Sequence, residues 1–344
     1  MFEGENMTDN SIEIKSDVEH ARDRVQMYAG SKTLSKQEEY TFDAGKLVKV
    51  PLTYTPALVK VISEIIDNSV DEHNRTGAIN VIKFNYDSIA ECITVYDNGG
   101  IPVKHHHQVT DKYIPTIIFG MLRTSSNYKD DERTTLIGTN GLGCKLTNIT
   151  SKEFNVTTAD GTKSFYQQFS DGMKHSTKPV IKSSTQKYTS ITFTPDWDYF
   201  KTDPQVHSDW LKHIEFYIRF LAINNPKCKF YFNDELITIK SMQDLFATQS
   251  SYNVNLSTTA WQVGVLPSQY FDHISFVNGV YTINGGTHVD YFTAEVLEYL
   301  VKHIKKNHKL QTRSGVIKNY FLFIISAKVI KPEFDSQTKT RLVT

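Results

Sequence analysis

The chain has 344 residues, 39% of them hydrophobic and 12% aromatic, which is material for packed cores in two domains. Its 38 basic residues balance 38 acidic ones, so no global field draws it to nucleic acid or to a membrane, and any polyanion contact must be local. Three scattered cysteines, Cys92, Cys144 and Cys228, argue against a disulfide framework or a Cys-x-x-Cys zinc site, and no apolar run nears the ~18 residues of a membrane span.

Residues 1 to 15 are polar and aperiodic, which predicts a flexible N-terminus without the basic and apolar regions of a signal peptide. A short helix is expected from Ser16, followed by a turn at Gly30 and a lysine- and glutamate-containing loop to about Val50. Pro56 suits the first turn of a helix whose apolar stripe is Leu58, Ile62, Ile65, Ile66 and Ser69. Its polar face carries Glu64 and Asn68 one turn apart, with Asp71 nearby; taken alone this has the plain reading of a solvated amphipathic helix, with Asp67 and Asp71 structural.

Strands are expected at 79–86 and 92–96, the second ending at the strong breaker Asp97-Asn-Gly-Gly100. The stretch 101–145 is rich in loop formers, with one helix at 114–122, and is too long for an idle connection. Further strands near 153–158, 164–169 and 189–194 belong to one sheet, a helix follows over 207–222, and strands at 228–232 and 235–239 flank an Asn233-Asp234 turn. A second domain is expected from about residue 248, with strands at 261–265 and 272–279, a Gly285-Gly286 turn, a helix over 289–307 and an apolar strand at 320–326.

Three elements carry chemistry: the Glu64–Asn68 helix face, the word Asp97-Asn-Gly-Gly-Ile-Pro102, and the loop Gly138-Thr-Asn-Gly-Leu-Gly-Cys-Lys145. Closely spaced glycines let backbone N–H groups approach phosphate oxygens, and Lys145 adds a charge. In this order the three resemble the N, G1 and G2 boxes of the GHKL ATPase superfamily. The words Tyr113-Ile-Pro-Thr-Ile-Ile-Phe-Gly120, Thr124-Ser-Ser-Asn-Tyr128, Ile274-Ser-Phe-Val-Asn278, Gly285-Gly-Thr-His-Val289 and Phe334-Asp-Ser-Gln-Thr-Lys339 narrow the resemblance. They are similar to the ATPase gate of eukaryotic and T4-like phage type II topoisomerases, over roughly residues 20 to 344.

The resemblance implies an α+β fold: a Bergerat (GHKL) ATP-binding sandwich of helices on a mixed β-sheet over residues 16–247, with an N-terminal arm, then a truncated transducer domain of the ribosomal protein S5 domain 2-like kind over 248–344. It implies ATP as ligand and Mg²⁺ as cofactor. Glu64 would be the general base for the attacking water and Asn68 the metal ligand, while Asp97 would accept from the adenine amino group. Ser125, Ser126 and Asn127 would contact ribose and phosphate, and Gly138, Thr139, Asn140, Gly141, Leu142, Gly143, Cys144 and Lys145 would wrap the phosphates. Gln337, Thr338 and Lys339 would reach the γ-phosphate from the second domain, Lys339 stabilising the developing charge. Tyr28, within Met27-Tyr-Ala-Gly-Ser31, would touch nucleotide held by the other subunit.

The implied partners are a second copy through the ATP-operated gate, non-specific double-stranded DNA, and the DNA-cleaving part of the topoisomerase. No Glu-Gly-Asp-Ser word is present, so this chain is not expected to cut DNA. The expected compartment is cytoplasmic, the host cytoplasm for a phage enzyme, or nuclear for a eukaryotic one. The rival readings are another GHKL clamp, MutL-like or chaperone-like, and a module that senses nucleotide without hydrolysing it. The family word Asp-x-Gly-x-Gly-Ile-Pro has one residue more than the stretch at Asp97. His105-His106-His107 reads as a solvated loop rather than a metal site, Cys144 as a packing residue, and Lys302, His303, Lys305, Lys306, His308, Lys309, Arg313 and Lys318 as a solvated helix end or a phosphate-contacting surface.

Overall fold

A computed structural model describes residues 14–106, 110–124, 141–249 and 253–344. The expected mixed α+β architecture is present as two sheets with helices packed on them. In the nine-stranded sheet the order runs Val180–Ser183, Lys163–Ser170, Ser151–Asp160, Lys187–Pro195, Cys92–Asp97, Val81–Asp87, Lys229–Phe232 and Glu235–Leu236, with His175–Ser176 paired to Lys163–Ser170. Neighbours are antiparallel except Lys229–Phe232, which runs parallel to Val81–Asp87. Every second residue points into the core, as at Ile82 and Phe84, Ile93 and Val95, Phe154 and Val156, and Ile191 and Phe193. Across these strands lie the helices Pro56–Thr76, Ile114–Gly120, Gly143–Ile149 and Asp209–Asn224.

The second sheet has five strands, ordered Val254–Ser257, Trp261–Pro267, Phe321–Ala327, Asp272–Val277 and Val280–Tyr281. Asp272–Val277 and Phe321–Ala327 are parallel, and the helix Thr287–His308 forms most of the crossover between them. That helix buries Val289 against Val263, Phe323 and Ile325 on one face of the sheet. The other face joins the main core: Phe220 of helix Asp209–Asn224 stacks on Phe276 at 4.7 Å, and Phe216 meets Tyr281 at 5.5 Å. One continuous core therefore contains residues of both sheets.

The stretch expected as a loop to Val50 is instead a two-stranded hairpin, Ser35–Asp43 with Lys46–Tyr54. Its turn is Ala44-Gly45, both with positive φ (46° and 79°), the geometry of a two-residue hairpin turn. Lysines and other polar residues line much of its outer surface while Tyr40, Leu52 and Tyr54 are buried, so the apolar signal is thin along the sequence. The hairpin joins the two halves. Tyr40 Oη donates to Asp272 at 2.9 Å, Lys49 Nζ pairs with the same carboxylate at 2.5 Å, and Leu47 N donates to Gln249 at 2.8 Å.

Other elements the sequence reading passed over are the helices Met242–Ala247 and Ser314–Lys318 and the edge strand Val254–Ser257. His105 and His106 form a short ribbon with Lys112–Tyr113 rather than a plain loop. His105 bonds Asp111 at 2.6 Å and its ring sits 4.1 Å from that of Tyr113, while His107 lies outside the described residues. Among the described residues no group of three or more His, Cys, Asp or Glu side chains gathers to hold a metal, and no helix is long and apolar enough to cross a membrane.

Candidate functional site

The helix Pro56–Thr76 positions the centre of the site. Pro56 occupies its first turn, and Thr55, at the N-cap, uses its hydroxyl to reach Phe200 O and Thr202 rather than its own helix. Gly77, at φ 66°, closes the far end. The expected stripe is buried, with Leu58, Ile62, Ile65 and Ile66 at 2% exposure or less. Asp67 and Asp71 are buried as well, whereas Asn68 is exposed and Glu64 half-buried. Asn68 is thus open toward solvent on a helix otherwise enclosed through this region.

Glu64 sits among cations. Lys60 Nζ lies 2.6 Å from its Oε1, and the Lys339 ammonium acts on it from the C-terminal loop. Burial opposes the charge of Glu64, but Lys60 and Lys339 outweigh it and hold the carboxyl below its ordinary pKa. Asp67, two turns from Lys60 on the same helix, accepts a hydrogen bond of 2.6 Å from Tyr217 Oη. Burial pushes Asp67 up to about 7, Lys60 opposing it.

The helix Gly143–Ile149 meets Glu64 end-on. A Cβ on Gly143 would stand 1.7 Å from Glu64 Oε2, so only glycine admits the carboxylate there. This short helix is pinned on both sides: Thr147 Oγ1 donates to Val61 O at 2.6 Å, and Asn148 Nδ2 to Phe119 O at 3.0 Å. Cys144 is buried, its thiol 3.3 Å from Ile118 O and beside the Asn68 side chain, and burial pushes its pKa up. Lys145 is 2% exposed; its Nζ donates to Thr124 O at 2.6 Å and Gly141 O at 2.5 Å, and burial lowers its pKa.

Asp97 ends its strand in a buried pocket. Its carboxylate accepts from Ser69 Oγ at 2.7 Å and from Gly99 N at 2.9 Å, yet burial prevails and pushes it up to about 6. The shortened turn after it is tightly seated. A Cβ on Gly100 would lie 2.1 Å from Ala159 O, and one on Gly99 would lie 2.6 Å from Ile79. Ser69 follows Asn68 in the chain, so the Asp97 pocket and the Glu64 end are built on different faces of one helix, Pro56–Thr76.

Lys339 comes from the far end of the chain. The segment before Leu342 is held by the Gly285-Gly286 turn: Asn284 N donates to Thr340 O at 2.9 Å and Leu342 N to Gly285 O at 3.1 Å. Both glycines have positive φ, and a Cβ on Gly286 would meet Leu342 O at 2.3 Å. Lys339 is 8% exposed, and burial lowers its pKa against the pull of Glu64. Gln337 and Thr338 are half-buried, and Thr338 Cγ2 lies 3.7 Å from where a Cβ on Gly30 would stand. Tyr28, half-buried, lines with Leu142 and Arg123 a surface hollow of about 760 Å³.

The structure thus brings Glu64, Asn68, Gly143, Cys144 and Lys339 together, with Asp97 joined to them through Ser69. Ser125, Ser126, Asn127, Gly138, Thr139 and Asn140 lie outside the described residues. Two residues that the sequence reading did not single out are built into the centre: Lys60, legible in principle as a cation four residues before Glu64, and Tyr217, which carries no local signal.

Residues 223–344 match the family described as DNA gyrase B, and residues 53–198 match the family described as histidine kinase-, DNA gyrase B-, and HSP90-like ATPase. The DNA topoisomerase 2 of Pisum sativum is 34% identical over 351 residues, which include 96% of this chain. The match spans 24% of the pea protein, about a quarter of its length. The crystal structure of the ATPase region of Saccharomyces cerevisiae topoisomerase II superposes with a TM-score of 0.89 at 30% identity, covering 98% of this chain and 90% of that one. The ATPase and transducer domains of DNA topoisomerase II from Balamuthia mandrillaris give 0.91 at 31% identity, covering 98% and 90%.

Proposed function

Because this chain belongs to the type II DNA topoisomerase family, as a counterpart of its GHKL-type ATPase region, we propose that it hydrolyses ATP as a nucleotide-operated gate and dimerises when nucleotide binds. In this reading residues 16–247 form the ATP-binding domain and 248–344 part of the transducer. The observation that carries it is the meeting of Glu64 with Gly143, since it sets a carboxylate oxygen against the first residue of the helix that follows the glycine loop.

Each residue has a duty that its surroundings suit. Asp97 accepts from the adenine amino group, its carboxylate fixed by Ser69 and Gly99. The backbone at Gly141, Leu142 and Gly143 donates to phosphate oxygens, with Ser125 to Asn127 and Gly138 to Asn140 continuing those contacts. Glu64 orients a water by accepting its hydrogen bond and takes its proton as the water oxygen bonds to the γ-phosphorus and the bond to the ADP oxygen breaks. A carboxyl held ionised by Lys60 and Lys339 is ready for that role. Lys339, with Gln337 and Thr338 beside it, meets the negative charge that grows on the γ-phosphoryl oxygens.

Mg²⁺ fits the donor set: Asn68 offers one exposed amide oxygen, and Mg²⁺ in phosphate chemistry takes few protein ligands and completes its shell with phosphates and water. When bound it would neutralise phosphate charge. Tyr28 serves the partner subunit's nucleotide. A ligand touched by both domains and by a second copy binds the closed dimer best and so shifts the population toward closure. Closure would enclose a DNA segment, with the exposed cations Lys302, Lys305, Lys306 and Lys309 at the end of helix Thr287–His308 available to its phosphates.

The test is Glu64→Gln, which keeps the shape and removes the base. Hydrolysis should fall below detection while nucleotide binding persists; normal turnover would overturn the assignment. Binding without turnover in the unmutated protein would favour a sensing module. Gel filtration with a non-hydrolysable ATP analogue should show a dimer.

A further inference from the structure

Lys339 and Glu64 reach the site from different sheets, so the spacing between them depends on how the second sheet is seated on the first. Apolar contacts across that boundary, such as Phe220 on Phe276, are non-directional and resist a small slide only weakly. A directional contact crosses the same boundary. Asp272 Oδ2 accepts from Lys49 Nζ at 2.5 Å and from Tyr40 Oη at 2.9 Å, and its other oxygen accepts from His273 N at 2.8 Å. The side chains of Lys49 and Asp272 are 27% and 19% exposed, so water screens this pair less than an ordinary surface ion pair.

Both ends of this contact lead to the hydrolytic site. Lys49 stands on strand Lys46–Tyr54, which runs directly through Thr55, the N-cap, into the helix that carries Glu64. The same strand is tied to helix Asp209–Asn224, where Thr53 N donates to Asp209 at 2.9 Å. On the other side Asp272 opens strand Asp272–Val277, and the next residue abuts the glycine turn: a Cβ on Gly285 would lie 2.4 Å from His273 Nε2. Gly285 O accepts from Leu342 N, and Asn284 N donates to the carbonyl of Thr340, the residue after Lys339. The contacts close a ring. It runs from Glu64 back along its helix and strand to Lys49, across to Asp272, through His273 and Gly285 to the C-terminal segment, and by the charge of Lys339 to Glu64 again.

We propose that Asp272 is a positioning residue of the hydrolytic site: held by Lys49 and Tyr40, it fixes the seat of the second sheet against the hairpin and so sets where the Lys339 ammonium stands relative to Glu64. It touches no reacting atom and acts only through Lys339. Alignment is what it contributes, since a cation stabilises charge that grows during the reaction only from a short and defined distance. Asp97 is held by Ser69 and Gly99, both outside this ring, so adenine recognition does not depend on it. The inference rests on the reading of Lys339 and Glu64 as the hydrolytic pair.

The experiment measures kcat, nucleotide Kd and Tm for Lys49→Met, Lys49→Arg, Lys339→Met and the double variant Lys49→Met with Lys339→Met. Lys49→Met should lower kcat about tenfold with Kd within about twofold, because alignment rather than affinity is lost. Lys49→Arg, which can still donate to Asp272, should recover most of that loss. In the double variant kcat should stay within about twofold of Lys339→Met alone, since a contact that acts through Lys339 then has nothing to align. Unmutated kcat in Lys49→Met would overturn the proposal, and so would an arginine variant of unmutated Tm that recovers nothing. A further tenfold loss in the double variant would overturn it too, being the mark of a purely structural effect. Should Lys49→Met fail to fold, Asp272→Asn takes its place under the same criteria. Unmutated kcat in Lys339→Met would instead overturn the assignment of Lys339, a result separate from any of these.

Discussion

Glu64 Oε2 fills the space in which a side chain on Gly143 would begin, at 1.7 Å from that point. The two residues are therefore locked together: glycine is required at the start of the short helix because of a side chain on another one.

Gly143→Ala tests this directly. Gly143 is helical and lacks positive φ, so its backbone accepts alanine, but displacing the enclosed Glu64 carboxylate from Lys60 offsets the ~0.5–1 kcal/mol of helix propensity, and Tm should hold or fall slightly. The carboxylate must move aside. The expected outcome is a stable protein whose ATPase rate falls by about a hundredfold; a normal rate would show that Glu64 works from another position.

Asp97 links stability to pH. Its folded pKa of about 6 exceeds the ordinary 3.8, so its contribution to stability is fully present below about 3.8 and is lost as pH rises through about 6. Asp97→Asn should therefore stabilise the nucleotide-free protein above pH ~6, by up to ~3 kcal/mol, with little gain near pH 4. The same substitution should weaken ATP binding. Thermal melts across that pH range, with and without nucleotide, check both.

Tyr217→Phe removes the donor to Asp67 and should cost ~1–3 kcal/mol, read as a lower midpoint in denaturant. Asp67 has a raised pKa of about 7, so its favourable contribution is present below its ordinary value and lost as pH rises through 7. Without Tyr217 its ionised form is the one left short of a partner. The deficit should be larger at pH 8 than at pH 5.

Lys339→Met should lower kcat by about 10²-fold with a smaller effect on nucleotide affinity, because the charge it meets develops during the reaction. Steady-state kinetics beside equilibrium binding separates the two. Asn68→Ala should raise the Mg²⁺ concentration needed for half-maximal turnover, measured by metal titration at fixed nucleotide.

Much of this site was readable along the chain because its parts are local words. Glu64 and Asn68 show as a helical spacing, Asp97 as the residue before a glycine breaker, and Lys339 as part of a word with Gln337. The hairpin 35–54 was not readable, since its lysines and other polar residues hide any alternation and one glutamate, Glu39, is itself buried with Tyr40, Thr41, Leu52 and Tyr54. Lys60 and Tyr217 were missed for a different reason. A lysine one turn from a glutamate is ordinary on any surface helix, and a tyrosine 150 residues from Asp67 acquires meaning only when the sheet sets the two helices side by side.

The face-to-face packing of Phe220 on Phe276, 4.7 Å between centroids with 19° between planes, ties one face of the second sheet into the main core, while its other face keeps the cluster of Val263, Val289, Phe323 and Ile325. Heat should accordingly melt the two sheets in a single endotherm, with calorimetric and van't Hoff enthalpies in agreement. Any rearrangement between them must slide or part these two rings, so relative motion of the layers is coupled to repacking at this contact.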